Sequence, residues 1–423
     1  MSIEQDLFDF CKDIFPICRS ITGPGVRSTL QKIKYILPNL EIHSVKSGTK
    51  VFDWTVPKEW IIRDAYIEHE SGTRFAEFKK CNLHVLGYSA PANRFLSLDE
   101  LKRYIYTIPG NPDAIPYVTS YYKERYGFCM SENDKNALPE GRYHIVIDSE
   151  LTDGCLNYAE LFIKGKSQKE ILLSTYICHP SMANDNTSGI SLATYLGKWL
   201  SCKKDLRYSY RVIFIPETIG SITYLSLNLA ALKKNLIAGF VLSCVGDNRA
   251  FSITHSRYGN TLADKAAFAV LKNKPNFQNY NFLHRGSDER QFSAPGVDLP
   301  VCTISRSKYG GYPEYHTSKD DMSVISPEGL KGSFDALTEC IDALEHNHYY
   351  QTTCLCEPQL GRRGLYATLS TQSSYTDERV ISNVIAYSDG NNDLFDLCRI
   401  QNCHPKELIH YINILLEQGI LTF

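Results

Sequence analysis

The chain has 423 residues, too long for one small domain, and 43% of them are hydrophobic, enough for a sizeable core. Its 45 basic and 47 acidic residues nearly cancel, so composition gives no support for bulk attraction to nucleic acid or to a membrane surface. No apolar run of about 18 residues or more occurs, so no helical span of a bilayer is expected. The start, Met1-Ser-Ile-Glu-Gln-Asp6, lacks the basic and apolar regions of a signal peptide. The 14 cysteines are irregularly spaced. Cys178, Cys244 and Cys302 fall in apolar runs, where a small buried hydrophobe is the expected role, and the pair Cys354 and Cys356 has no second pair to complete a zinc knuckle. A reduced, cytoplasmic protein is the expectation.

Residues 1 to about 50 open with a helical pattern (Leu7, Phe8, Cys11, Ile14, Phe15), a turn at Thr22-Gly-Pro-Gly25 and a second helix from Val26 to Ile36. From Val51 to about Gly165 the chain alternates like antiparallel strands and is rich in aromatics, with tyrosines densest between Ile115 and Phe128. That density suits a ligand pocket or the packing of a small sheet, and packing is the expected role of any single ring. From Ile171 strands and helices alternate. Strands are expected over Ile171–Cys178, Tyr210–Pro216, Leu236–Val245, Ala250–His255 and Pro300–Ser305. Helices are expected over Ile190–Leu200, Ser221–Lys233, Leu262–Leu271 and Pro327–His346. Such alternation predicts an α/β fold, a mostly parallel sheet flanked by helices, with the aromatic region inserted into it.

Beyond Cys356 three short helices are expected: one capped at Thr376-Asp-Glu, one over Asp393–Ile400, and one from His404 to Gln418. A terminal strand, Gly419–Phe423, completes a winged helix-turn-helix. Residues 357–423 hold five Lys/Arg against eight Asp/Glu, and the third helix carries one lysine. Phosphate contacts need cations, so a packing or protein-contact module is expected there and no nucleic acid. The expected organisation is therefore 1–50 with 166–353 as a catalytic-type domain, 51–165 as a small β-rich insert, and 354–423 as the winged helix.

Chemistry-bearing residues gather at predicted strand ends, where an open α/β sheet builds its sites. His179 leaves the strand that starts at Ile171, and Asp185 follows in a short polar loop before a helix. An imidazole and a carboxylate there suit a divalent metal, although each could equally cap its element. Glu217 ends the next strand, placed to coordinate metal or to take a proton from its water, or to cap the following helix. Asp247 follows the next strand as Gly246-Asp247, where a turn role is equally natural. His316 lies in a polar loop, a place where a lone histidine is ordinarily a surface residue. With His179, Asp185 and Glu217 it completes a two-histidine, two-carboxylate set suited to zinc.

Several of these runs resemble a known family. Ala183-Asn-Asp-Asn-Thr-Ser-Gly189 resembles the A-D/N-D-x-A/T-S-G motif of the cocatalytic zinc aminopeptidases. Ser287-Asp288, Phe292, Gly296 to Pro300 and Tyr315-His-Thr-x-x-Asp320 resemble that family's later elements in the same order. Over nearly its full length the chain is more similar to a bacterial family of uncharacterised proteins with an aminopeptidase-like domain, an inserted small domain and a C-terminal winged helix. Its signatures are matched by Val51-Phe-Asp-Trp-Thr-Val-Pro-Lys-Glu-Trp60, Pro116-Tyr-Val-Thr-Ser-Tyr-Tyr122 and Leu355-Cys-Glu-Pro-Gln-Leu-Gly-Arg-Arg-Gly-Leu-Tyr366. Members often occur in bacterial surface-polysaccharide gene clusters.

The resemblance implies roles. His179 matches the first zinc histidine, Asp185 the bridging aspartate and His316 the last histidine. Glu217 matches the general base, Asp288 and Asp320 match supporting residues, and Arg290 and Tyr315 are expected to face substrate. Three departures stand out. Ser181 replaces the aspartate that orients the first histidine. Thr218 replaces the second of two adjacent glutamates. Leu242-Ser-Cys-Val-Gly246 lacks the aspartate ligand, with Asp247 as its expected replacement. One well-held zinc is therefore expected, while the family pattern allows two. The implied function is metal-dependent hydrolysis of an amide in a small peptide or an aminoacyl or acylamino substrate, with Arg290 as oxyanion partner. The alternatives are a peptidase-derived binding or regulatory protein, and single-zinc transfer chemistry like that of glutaminyl cyclases. Homo-oligomerisation is left open.

Overall fold

The strand Glu170–Tyr176 is buried along its whole length. Ile171 and Leu173 enter one core while Leu172 enters another, so both faces of the sheet are covered. That double burial explains why the run reads as continuously apolar and not alternating. The computed structural model, which describes residues 2–365 and 372–423, places this strand in the middle of a mixed eight-stranded sheet.

In chain order the strands of this sheet are β1 (Glu41–Lys46), β2 (Cys155–Ile163), β3 (Glu170–Tyr176), β4 (Ser209–Ile215), β5 (Leu236–Leu242), β6 (Phe251–Thr254), β7 (Phe277–Tyr280) and β8 (Val301–Ser305). Their spatial order is β1-β2-β4-β3-β5-β8-β6-β7. The central four, β4, β3, β5 and β8, run parallel, and antiparallel neighbours flank them on either side. Helices Ile3–Ile14, Ser188–Ser201 and Pro327–Glu345 pack together over one face. Local signals fix several boundaries: Thr261 forms a capping box at the start of Leu262–Leu271, and Ser326 caps the helix that begins with Pro327.

The insert contains a second, antiparallel sheet in the order Arg74–Phe75, Glu59–His69, Arg142–Thr152, Ala92–Ser97. The expected boundary at residue 165 shifts. The strand Cys155–Ile163 leaves the small sheet's last strand through a tight turn and pairs with β1 and β4 in the main sheet. Arg142–Thr152 alternates between buried and more exposed residues, whereas Cys155–Ile163 is buried at four successive residues, as befits a strand of the main sheet covered on both faces. The insert also returns to the main domain, through a bridge between Pro116 and Thr317 and a bond from the Tyr117 amide to the His316 carbonyl at 2.9 Å.

The C-terminal region has helices Gln372–Tyr387, Leu394–Gln401 and Pro405–Glu417. The first starts before the expected cap at Thr376. Leu421–Thr422 pairs antiparallel with Gln351–Thr352, so one half of the two-stranded wing precedes the helices. The third helix lies against Pro327–Glu345, where His404 stands 3.6 Å from Glu339. Lys265 bridges to Asp393 and Asp396 of the second helix. Among the described residues no helix is long and apolar enough to cross a membrane, and all fourteen cysteines are free thiols.

Candidate metal and active site

Three chain segments converge at the carboxyl end of the parallel strands. The chain leaves β3 at Tyr176 and presents His179, nearly buried, three residues later. The loop that follows is tied down from outside. The Asp320 carboxylate accepts the Asn184 amide at 2.7 Å and the Asp185 amide at 2.9 Å. The Asn186 side chain donates back to Thr175 at 2.8 Å. Gly189 must be glycine, because a Cβ there would lie 2.3 Å from Asn186 Oδ1 and 2.6 Å from the Leu242 carbonyl. His316 arrives on a loop with φ of 56°, and Thr218, after Glu217, has φ of 62°. Left-handed backbone at two non-glycine residues of one site costs energy that the surrounding structure has to hold.

The side chains meet. His316 Nε2 lies 3.0 Å and His179 Nε2 4.0 Å from Asp185 Oδ2. The three donor atoms are within 4.8 Å of one another. Asp185 Oδ2 and His316 Nε2 are buried without a hydrogen-bond partner among the described residues. Orphaned buried acceptors are costly, and two of them facing a third donor fit a divalent cation. Burial pushes His179 down to about 4, which keeps the imidazole in the neutral form that can ligate. Against burial, which alone would raise it, His179 and His316 hold the Asp185 carboxyl at about 2. The Tyr176 hydroxyl donates to the other oxygen of Asp185 and bonds Ser243 at 2.7 Å.

Glu217 Oε2 stands 3.9 Å from His179 Nε2. Burial, and then the charges of Asp288 and Asp185, raise its carboxyl well above the ordinary range. Asp288 accepts the Thr218 amide at 2.9 Å and the Ser221 hydroxyl at 2.8 Å through one oxygen, and its other oxygen is buried and unpartnered. Burial raises Asp288 to about 6 and Asp320 to about 7.

Other expected residues take different places. Asp247 does not join the ligand group. Its oxygens accept bonds from Asn184, the Ser307 amide and hydroxyl and the Arg249 amide, so its lone pairs are committed to the loops around it. Arg290 turns its guanidinium to the Thr218 hydroxyl and does not line the cavity. Tyr315 stacks on His316, with centroids 3.9 Å apart, and braces that ring without facing the cavity. Glu289, next to Asp288 in the chain and without an expected role, is engaged by Tyr309, Thr303 and backbone amides.

Some contributors had no clear signal in the chain. Buried Arg19 donates to the His179 carbonyl at 3.0 Å and to Thr187 at 3.0 Å. Where Ser181 leaves His179 without a carboxylate, the Cys178 sulfur lies 3.4 Å from its Nδ1, while Ser181 itself bonds Asn82. The insert roofs the site. The Tyr117 ring lies 5.2 Å from His179 and 5.1 Å from His316, and its hydroxyl bonds that of Tyr121 at 2.7 Å. An open-mouthed cavity of about 290 Å³ is lined by His179, Glu217 and His316 together with Trp54, Tyr117 and Tyr121.

Comparison with known proteins gives the family and the fold. Residues 8–347 match the family described as Domain of unknown function (DUF4910), and residues 347–423 match a winged helix-turn-helix. A Clostridium acetobutylicum protein, named for polysaccharide biosynthesis and an aminopeptidase-like domain, is 48% identical over 395 residues, 93% of this chain and 90% of the relative. A crystal structure of a peptidase-like protein from Clostridium acetobutylicum superposes with a TM-score of 0.93 at 45% identity, covering 99% of this chain and 96% of the other. The zinc aminopeptidase of Bacillus subtilis superposes with a TM-score of 0.59 at 13% identity, over 80% of this chain and 93% of the other. At that identity the likeness shows the aminopeptidase fold.

Proposed function

The chain belongs to the DUF4910 family, with an aminopeptidase-like fold and a C-terminal winged helix, and on that premise we propose that it is a metal-dependent amide hydrolase with a single principal metal site. The observation that carries the reading is the convergence of His179, Asp185 and His316, with two donor atoms left unpartnered. These three would hold the ion, and zinc is the cation this donor set fits best. A bound divalent ion supplies Lewis acidity and lowers the pKa of water.

The chain's own residues do the rest. Glu217, beside His179 and open to the cavity, takes a proton from the attacking water and passes it to the leaving amine. Its raised proton affinity suits a group that takes up a proton and returns it. Asp288 fixes the Thr218 amide and so the direction of Glu217, and Asp320 fixes the backbone of Asp185. Tyr117 takes the place foreseen for Arg290 as the donor facing a developing oxyanion, because Tyr117 lines the cavity and Arg290 does not. Thr218 in place of a second glutamate, and Asp247 withdrawn into its own bonds, leave too few donors for a second complete site.

The relative's name supports a substrate from polysaccharide biosynthesis. The winged helix serves as a packing module, since its third helix lies against the main domain. Metal analysis on protein purified without chelators tests the reading. About one zinc per chain is expected, lost in His316→Ala, on the donor count of a catalytic site. Protein that holds no divalent ion, and gains none on dialysis, would end the hydrolase reading in favour of a binding protein.

A further inference from the structure

What the cavity can take is set by the charges it lacks. Among the described residues that face it, Glu217 is the single carboxylate, and no lysine or arginine is present. The neighbouring positions that could have supplied charge are closed. Thr218 accepts a bond from Arg290, and Asp247 is held by Ser307 and Asn184. An ammonium group entering such a place needs a carboxylate of its own, and a substrate carboxylate needs a cation. With Glu217 occupied in proton transfer, neither partner is on offer. The bond that is cut therefore has uncharged groups on both sides.

The mouth says what those groups are. Trp54 and Tyr122 form an edge-to-face pair with centroids 5.2 Å apart, and they are 36% and 56% exposed. Phe52, in the same hairpin as Trp54, is 58% exposed. Large rings left in water around a cavity mark a contact surface. The negative face of an aromatic ring attracts the C–H edges of a pyranose, and the hydroxyls of Tyr117, Tyr121, Thr119 and Thr218 match a hydroxyl-rich ligand. The volume of about 290 Å³ is at the lower end for small-molecule sites (about 300–1,000 Å³), enough for one acylated residue.

Resting on the hydrolase reading, we propose that the site takes an uncharged N-acylamino sugar, with the acyl group at the histidines and the sugar ring against Trp54 and Tyr122, and not a peptide with a free amino terminus. The chemistry balances. The oxygen of water bonds to the acyl carbon, the C–N bond breaks, and the proton accepted by Glu217 goes to the departing nitrogen. A carboxylic acid and an amino sugar result.

The experiment uses the full chain as purified with its metal, so that Glu217 stays in place. Tryptophan fluorescence is recorded within seconds of mixing with N,N′-diacetylchitobiose, its doubly deacetylated counterpart, or leucylglycine. Quenching is expected at about tenfold lower concentration for the diacetylated sugar than for either amine; Tyr122→Ala raises that concentration severalfold, and Trp54→Phe, which removes the reporter ring, weakens binding of the diacetylated sugar severalfold by titration calorimetry. Quenching by leucylglycine or the deacetylated sugar at equal or lower concentration overturns the proposal, as does a diacetylated sugar that leaves the signal unchanged. Release of amine from each probe is followed in parallel. Turnover of leucylglycine in preference to the acetamido sugar overturns the proposal and leaves the hydrolase reading standing. Tight, Trp54-dependent sugar binding without amine release supports the recognition and sinks the hydrolysis.

Discussion

The floor and the roof of the cavity are built on opposite plans. The floor comes from strand ends of the main sheet and is made of titratable groups: buried His179 and Asp185, half-buried Glu217 and, behind them, buried Asp320, which tethers the Asp185 amide, and buried Asp288, which tethers the Thr218 amide. The roof comes from the insert and is made of half-exposed rings, with Tyr117, Tyr121 and Trp54 contributing hydroxyls and aromatic faces but no charge. The difference teaches a division of labour. Catalytic groups need a low-dielectric, fixed setting, and fixed positions come from strands and their tethers. Selection of substrate needs a surface that can vary without disturbing them, which an insertion supplies.

Breaking the floor should cost most. His316→Ala removes one of three donors and is expected to abolish both metal retention and turnover, read by metal analysis and an amide-hydrolysis assay on the same sample. Glu217→Gln should lower kcat by about 10²–10⁴-fold while the metal stays bound, the range for loss of a general base. If the metal leaves with Glu217, that residue is a ligand and the division between holding and proton transfer has to be redrawn.

Changes at the roof should be milder. Tyr117→Phe keeps the ring between the two histidines and removes only the hydroxyl. A fall in kcat of about tenfold is expected, corresponding to about 1.4 kcal/mol, with metal content unchanged.

The smallest effect tests coupling within the floor. Glu217 must be ionised to act as base, so activity falls as pH drops through its pKa. Burial raises that pKa most, and the charge of Asp288 raises it further. Asp288→Asn keeps an oxygen for the Thr218 amide but removes the charge, so the acid limb of the rate profile should move to lower pH. An acid limb that stays in place, or moves up, would detach Asp288 from the proton affinity of Glu217.

Much of the floor was legible in the chain. His179, Asp185, Glu217 and His316 each follow an apolar run that ends in a polar loop, and a buried parallel strand announces itself by such a run. Helix Leu262–Leu271 has its expected limits because Thr261 and Asp264 form a local cap. The strand Phe277–Tyr280 was not legible, since it sits at the sheet edge with an exposed centre and no apolar alternation. The family resemblance makes Asp247 the expected replacement ligand, where its strand-end position alone suits a turn equally well. Its oxygens are taken by Ser307, sixty positions later, which no local pattern announces. The tyrosines from Ile115 onward were expected chiefly to pack, and several line the cavity instead.

Sequence alone determined the alternation of strands and helices and the winged helix, and it nominated the side chains able to ligate, because each is written in short-range periodicity and in residue chemistry. Tertiary structure alone decided which of those side chains meet, that Arg290 and Asp247 are engaged elsewhere, and that an uncharged aromatic roof closes over the site. Those outcomes depend on backbone pairing between segments some two hundred residues apart, such as Tyr117 with His316, and the geometry of contact at that range is not encoded in any local stretch of chain.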